Sequence, residues 1–252
     1  LRPGRFGQAL DATTSGLLAE ATSAQRAAPL TVECWTKLSS KAGFNILVAS
    51  EPKASARHWE MYSYAGSGVF SVYMPGRGGE YRSSVDIVDG QWHHVAMIYE
   101  SKRLRLFVDG KMAADKELSG VADPASVGNS AARPEEKTQL SFGRLVEGGV
   151  GCAGLLDEVH IRCGAFVIDQ PSTKAPSITE TTVGLWRFDE LLDKTKVKDE
   201  SRSSSTATAV AAATSAAAPG AKPRVPAHWG KGQVGFEGWE EDWVDKRWQQ
   251  AE

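Results

Sequence analysis

Two Asp-Gly dipeptides, Asp89–Gly90 and Asp109–Gly110, are the feature that most constrains the fold of this chain. Glycine adopts positive φ at little cost and Asp accepts the flanking geometry, so each dipeptide predicts a tight turn. Between them, over residues 92–108, apolar and polar residues alternate as they do in a sheet with one buried face. The stretch therefore predicts antiparallel strands and favours an all-β fold.

Strand patterns of this kind recur through residues 1–195. Turn signals rich in glycine separate them, for example at 65–68 and 75–79. Many short strands without alternating helices are typical of a β-sandwich or barrel, and 252 residues suffice for a full core. The predicted strands are 8–12, 31–38, 44–51, 59–64, 69–74, 81–87, 92–100, 104–108, 112–118, 139–143, 154–162 and 183–188.

Charge and hydropathy exclude some classes of partner. The formal net charge of −2 gives no basic surface for nucleic acid or an anionic membrane. No apolar run reaches the roughly 18 residues that a membrane span needs. We therefore expect neither a nucleic-acid partner nor a membrane span. The chain begins with Leu1 rather than Met, so a secretory leader could have been removed.

The cysteines leave two interpretations open. Cys34, Cys152 and Cys163 are three in number, so they cannot all pair within the chain. There is no Cys-x-x-Cys motif to indicate a zinc ribbon or a thioredoxin-like site. Either Cys152 and Cys163 form a disulfide in an oxidising compartment, or all three are buried thiols.

The composition changes after residue 195. Residues 196–227 are rich in Ala, Ser and Thr and predict a linker-like segment, although alanine also permits helix. Residues 228–252 form an aromatic and acidic tail, irregular or helical, that either docks on its own domain or hooks a partner protein. The candidate partner-binding residues of this tail are Phe236, Trp239, Trp243 and Trp248.

Six motifs follow one another at 4–10, 30–36, 89–96, 104–111, 140–144 and 154–161. In content and order they resemble the laminin G-like domain of the concanavalin A-like lectin/glucanase superfamily. The resemblance implies an antiparallel jelly-roll β-sandwich over residues 1–195. It also implies a secreted, periplasmic or cell-surface protein that binds glycans or other proteins.

One segment departs from the family order. Residues 184–190 resemble the segment that normally opens such a domain, yet here they come last. Residues 228–236 also loosely echo residues 5–10. Either the strand around Trp186 completes the sandwich in a permuted order, or the chain ends inside a second unit of a longer array. An isolated strand would leave its backbone groups unpaired, so we expect the permuted order.

Relatives of this fold include glucanases, so hydrolysis has to be considered. A retaining glycosidase on this sandwich needs two carboxylates on one face of a strand. Asp157 and Glu158 are adjacent, so alternation predicts that they point to opposite faces, and the same holds for His93 and His94. We therefore expect a binding module without catalytic residues, in which the histidines are structural.

The richest candidate binding site lies within residues 57–81. Aromatic rings stack on sugars, and Arg, His and Glu hydrogen-bond to hydroxyls. Tyr62 and Tyr64 should share one strand face with His58 and Glu60. The sequence thus predicts recognition of a carbohydrate or glycoprotein; the alternative is an assembly domain whose tail contacts a neighbouring subunit. The candidate ligand-binding residues are Arg57, Trp59, Tyr62, Tyr64, Tyr73, Arg77 and Tyr81.

Calcium is the one cofactor that the resemblance implies. Many members of the fold hold a structural ion with carboxylate and carbonyl oxygens, which a hard cation prefers. Asp157 would be the best ligand, with Asp11 as a second. The Asp-Gly-rich segment that usually follows the first strand is replaced by residues 11–18, which removes polar ligands. The alternative is that Asp157 accepts backbone N–H bonds.

Overall fold

The computed structural model describes residues 1–119, 138–171, 173–192, 195–201 and 206–211. These ranges form strands and two short 3₁₀ helices, Ser23–Gln25 and Pro75–Arg77. The strands are β1 (Arg2–Pro3), β2 (Gln8–Asp11), β3 (Ser15–Glu20), β4 (Leu30–Leu38), β5 (Asn45–Ser50), β6 (Trp59–Ser63), β7 (Val69–Met74), β8 (Gly79–Asp86), β9 (His93–Tyr99), β10 (Arg103–Val108), β11 (Lys111–Glu117), β12 (Gln139–Phe142), β13 (Gly154–Cys163), β14 (Thr182–Trp186), β15 (Lys196–Lys198) and β16 (Thr206–Ala211).

The strands build two antiparallel sheets. Sheet 1 has the order β1-β2-β13-β4-β9-β10-β11, with β14 also paired to β13. Sheet 2 has the order β15-β16-β3-β12-β5-β6-β7-β8. The inner faces of the two sheets share one apolar core, to which Val32 contributes from sheet 1 and Trp59 and Phe142 from sheet 2. The predicted all-β, jelly-roll sandwich is confirmed.

The Asp-Gly turns lie where the sequence predicts them. Strands β9 and β10 pair with Val95 opposite Val108, and β10 pairs with β11 with Val108 opposite Lys111. Asp109 has a φ of 50° and Gly110 a φ of 74°, as a tight hairpin turn requires. The Asp109–Gly110 turn therefore fixes the register of the β10–β11 hairpin, whereas Asp89–Gly90 connects β8 of sheet 2 to β9 of sheet 1.

Strand β14 belongs to the same sandwich. It pairs antiparallel with β13, with Trp186 opposite Val159. The Trp186 side chain is fully buried, and its ring centroid lies 4.7 Å from that of Phe142 in sheet 2. This pairing supports the permuted order, since the strand is neither isolated nor exposed.

Strands β15 and β16 correct the composition-based prediction of a linker from residue 196. Strand β16 pairs with β3, with Thr208 opposite Leu18. Ala207 is buried in the core while Thr208 is exposed, so threonine and alanine alternate as they do in a half-buried strand. The prediction is wrong for these two strands. The tail at 228–252, with its four candidate residues, lies outside the described residues.

All three cysteines are free thiols. Cys34 and Cys152 lie in the core, and burial raises the pKa of the Cys152 thiol to about 12. Cys163 is half-buried, and its Sγ donates to the carbonyl of Ala24 at 3.5 Å. The Cys152–Cys163 disulfide is therefore not formed, and the thiol interpretation fits the structure.

Candidate functional site

The outer face of sheet 2, opposite to the core, carries an aromatic cluster. Tyr62, Tyr64 and Tyr73 pack together there, apart from the main core. The ring centroid of Phe44 lies 5.9 Å from that of Tyr62 and 5.1 Å from that of Tyr64. Alternation along β6 sends Tyr62 outward and Met61 inward, so this face follows from the strand pattern.

A chain of polar contacts crosses this aromatic cluster. The Tyr62 hydroxyl donates to Glu80 Oε2 at 2.7 Å, and Glu80 is also ion-paired with Arg82. The Arg82 guanidinium lies 3.4 Å from the centroid of the Tyr64 ring. Burial, and then the charge of Glu80, raises the pKa of Tyr62, so its hydroxyl keeps its proton and donates. We call Phe44, Tyr62, Tyr64, Glu80 and Arg82 the outer patch.

The polar members of the outer patch are the ones that reach solvent. The Arg82 side chain is 34% exposed and that of Glu80 is 16% exposed. Tyr62 and Tyr64 are only 2% and 8% exposed. The patch therefore presents a guanidinium and a carboxylate to solvent over a base of aromatic rings, and Phe44 lies half-buried at its border.

A buried charge network holds the segment 51–58 against the same face. Lys53 Nζ lies 2.8 Å from Glu60 Oε1, and His58 Nε2 lies 3.3 Å from Glu60 Oε2. Burial alone would raise the pKa of Glu60, but Lys53 and His58 bring it below its ordinary value. Lys53 also lies 4.9 Å from the ring centroid of Tyr73, whose pKa burial raises to about 12. These contacts hold the segment 51–58 in place beside the outer patch.

Three of the seven predicted ligand-binding residues, Tyr62, Tyr64 and Tyr73, come together on this face. His58 and Glu60 share it with them, as alternation predicts. That these tyrosines bind a ligand stays a prediction, and the structure shows only that they are adjacent.

The other four predicted residues lie elsewhere. Trp59 is fully buried in the core, so it cannot stack on a ligand. Tyr81 faces the core side, and its hydroxyl donates to the carbonyl of Arg77. Arg77 is buried and lies 5.6 Å from the Tyr99 ring centroid. Arg57 is 40% exposed, at the end of the segment 51–58, where it lies 3.6 Å from Glu51.

Phe44, Glu80 and Arg82 also contact this aromatic cluster, although the sequence analysis did not include them. Glu80 and Arg82 alternate with Tyr81 along β8. Because Tyr62 lies on the outer face of the sheet, Glu80 and Arg82 are the residues of β8 that share this face, and Tyr81 lies on the opposite one. The register that makes this choice joins Tyr73 to Glu80, and it becomes visible only in the folded sheet. Phe44 is the first residue of the predicted strand at 44–51, but it precedes the observed β5.

Both predicted calcium ligands already accept hydrogen bonds, although Asp157 Oδ1 has no partner within the described residues. Asp157 is fully buried, and its Oδ2 accepts the backbone N–H of Arg5 at 2.7 Å and of Phe6 at 2.9 Å. Asp11 pairs with Arg2 at 3.1 Å and accepts from Thr13. Within the described ranges no group of three or more acidic, His or Cys side chains could hold a metal ion. The backbone-binding alternative for Asp157 thus fits the structure, and calcium stays a prediction.

Strand β13 is irregular where the two adjacent acids lie. Its register against β4 shifts between Asp157 and His160, and Glu158 has a φ of 51°. The strict alternation from which we expected opposite faces is therefore interrupted by a bulge. Burial, together with the charge of Asp189, raises the pKa of Asp157 to about 6. Burial raises the pKa of Glu158 to about 8, although Arg187 opposes this shift.

The two sheets and the strand order define the chain as a lectin-type β-sandwich. The chain belongs to the concanavalin A-like lectin/glucanases superfamily, because residues 11–166 match the profile of its laminin G type. No curated protein matches the chain. None of the helices in the described part of the chain is long and apolar enough to cross a membrane.

Solved structures of other proteins are similar to this one at low sequence identity. A candidate carbohydrate-binding protein of Bacteroides ovatus matches with a TM-score of 0.55 and 16% identity, over 79% of this chain and 58% of that one. Domains LG4-5 of the mouse laminin α1 chain match with a TM-score of 0.47 and 16% identity, over 70% and 47% of the two chains. The chain thus spans little more than half the length of the first of these proteins.

Proposed function

We propose that this chain is a non-enzymatic carbohydrate-binding module that recognises a glycan through the outer patch. The observation that carries the proposal is the solvent-facing pair of Arg82 and Glu80 above the aromatic rings. A guanidinium donates and a carboxylate accepts, so the pair can bind two neighbouring sugar hydroxyls. The half-buried ring of Phe44 supplies an apolar surface beside them.

Family membership and the fold support this proposal. The candidate carbohydrate-binding protein of Bacteroides ovatus has the same fold, which is compatible with a similar class of ligand. The ion pair between Arg82 and Glu80 leaves no net charge on the patch, which favours a neutral sugar over an anionic one. Glycans of this kind are met outside the cytoplasm, so we expect a secreted, periplasmic or cell-surface protein.

Glycan-array binding, followed by calorimetry on the best ligand, tests the proposal. Arg82→Ala should weaken binding by about tenfold or more, since hydrogen bonds to charged groups contribute about 1.5–3 kcal/mol. Phe44→Ala should weaken it by a smaller factor. Mass spectrometry should recover the bound glycan intact, whereas a cleaved glycan would refute the non-enzymatic part.

Arg103→Ala is the matched control. Arg103 is also an exposed strand arginine paired with a carboxylate, Asp115 of the neighbouring strand, but it lies in sheet 1. Its replacement should leave glycan affinity unchanged. Equal loss in Arg82→Ala and Arg103→Ala, or no loss in either, would overturn the assignment of the site.

A further inference from the structure

A second aromatic–polar cluster lies on the outer face of sheet 1. Trp35 in β4 stands directly opposite His94 in β9, and their ring centroids are 5.3 Å apart. Phe6 meets the Trp35 ring edge-on, with 6.1 Å between centroids. Trp35 is only 5% exposed, so its indole is covered by these neighbours and by Arg5.

Arg5 is the removable part of this cover. Its guanidinium lies 4.6 Å from the Trp35 ring centroid, and Arg5 itself is exposed. Across the described ranges the Arg5 side chain makes no ion pair. The backbone at Arg5 and Phe6 is held by Asp157, so the side chain can rotate away while the segment stays in place. Rotation would open one indole face to solvent.

His94 places an unused acceptor next to this indole. Its Nε2 lies 3.3 Å from Glu33 Oε2. Burial alone would raise the pKa of Glu33, but His160, His94 and Arg162 hold it well below its usual range, so this carboxylate accepts and His94 Nε2 donates. In the neutral imidazole Nδ1 is then an acceptor, and it is buried with no hydrogen-bond partner in the described part of the chain. Such a group gains free energy from a hydroxyl donor.

We propose that Trp35, Arg5 and His94 form a second sugar-binding site, in which a neutral pyranose ring stacks on the indole after Arg5 rotates outward. One sugar hydroxyl donates to His94 Nδ1. A neutral sugar fits better than an acidic one, because Asp157 and Asp189 bind the backbone of residues 5–8 and would repel a carboxylate. The site lies on the opposite sheet from the outer patch and does not depend on it.

Titration with methyl glycosides of glucose, galactose, mannose and N-acetylglucosamine tests the site. The probe signal is the Trp35 indole N–H resonance in an NMR spectrum, assigned with Trp35→Phe. Recording it in an Arg82→Ala background separates this site from the outer patch. At least one glycoside should shift the resonance; no shift with any of the four would overturn the proposal, whatever the result for the outer patch.

Two substitutions separate the roles of the cover and the acceptor. Arg5→Ala should tighten binding about two- to fivefold, because an exposed cation–π contact no longer competes with the sugar. Arg2→Ala, which replaces an exposed arginine paired with Asp11, is the control and should leave the affinity unchanged.

His94→Gln keeps a donor toward Glu33 but removes the Nδ1 acceptor, so binding should weaken about fivefold. Identical affinities for Arg5→Ala and Arg2→Ala would refute the proposed role of Arg5 as a cover over the indole. This comparison does not depend on whether His94→Gln folds.

Discussion

The buried carboxyl group of Glu158 should make the stability of this protein depend on pH. Glu158 is 1% exposed, and one of its oxygens has no hydrogen-bond partner within the described residues. Burial raises its pKa, Arg187 at 3.1 Å lowers it, and Asp157 and Asp189 raise it again. The balance is a pKa of about 8, so burial outweighs the ion pair.

The sign and size of the effect follow from this value. The ordinary pKa of Glu is 4.5, so the folded state holds a proton that the unfolded chain has already lost. The stabilisation is fully present below pH 4.5 and is lost as the pH rises through 8. At about 1.36 kcal/mol per pH unit the loss is about 5 kcal/mol at most, and local relaxation and water entry reduce it to about 2–5 kcal/mol.

Glu158→Gln tests this reasoning because glutamine mimics the protonated acid at every pH. Urea unfolding, followed by tryptophan fluorescence between pH 5 and pH 9, gives the free energy of unfolding. The variant should match the wild type within about 1 kcal/mol at pH 5 and exceed it by about 2 kcal/mol or more at pH 9. A wild type whose stability is flat over this range, with a variant that is weaker throughout, would refute the argument.

Glu200→Gln is the matched control for this experiment. Glu200 is the second carboxylate partner of Arg187, at 2.8 Å, but its side chain is 40% exposed. Replacing Glu200 also removes one ion pair from Arg187, but it leaves the buried carboxyl group of Glu158 unchanged. The wild-type pH trend should therefore persist in Glu200→Gln.

Three further predictions concern other parts of the sandwich. Burial alone would lower the pKa of His93, but Asp109 and Asp89 raise it above its ordinary value. The ion pairs of His93 therefore stabilise the folded state below pH 6.5, and this contribution is lost as the pH rises. His93→Asn should lower Tm at pH 5.5 and lower it much less at pH 9. Trp59→Ala should cost about 3–5 kcal/mol of unfolding free energy in urea titrations, since the ring is fully buried in the core. A calcium site at Asp157, whose Oδ1 has no hydrogen-bond partner within the described residues, predicts that added calcium raises Tm and that Asp157→Ala removes the rise; an unchanged Tm would refute the calcium site.

Most of the fold could be predicted from the sequence because alternation and turn chemistry are local signals. The predicted strand at 69–74 matches β7 residue for residue, and the other predicted strands differ from the observed ones by one or two residues at their ends. Strand β3 was missed since glycine is a poor strand former, and Ser15 and Gly16 are paired only by β16, while β12 pairs with residues 17–20. Such tertiary pairing has no local signature.

The candidate site could be predicted only in part, because alternation gives two faces but does not say which one is buried. Trp59 and Tyr62 lie on opposite faces of β6, and both are large aromatic residues. The sandwich assigns Trp59 to the core, which leaves Tyr62 outward beside Glu80. Tyr62 and Glu80 meet through their side chains although they are 18 positions apart, and nothing in the sequence shows that the two are paired.

The pairing of β14 with β13 brings three acidic residues, Asp157, Glu158 and Asp189, close together. Pairing of β14 with β13 brings Asp189, just after the strand, beside the bulge that contains Asp157. Asp157 binds the backbone of Arg5 and Phe6, and Asp189 binds that of Gln8 at 2.9 Å, so two carboxylates anchor the N-terminal segment. A neutral Asp157 is a weaker acceptor than its carboxylate, so protonation of Asp157, whose pKa is raised to about 6, should weaken its hold on the backbone of Arg5 and Phe6 beside Trp35. The stability of the bulge and access to the second proposed site should therefore change together with pH.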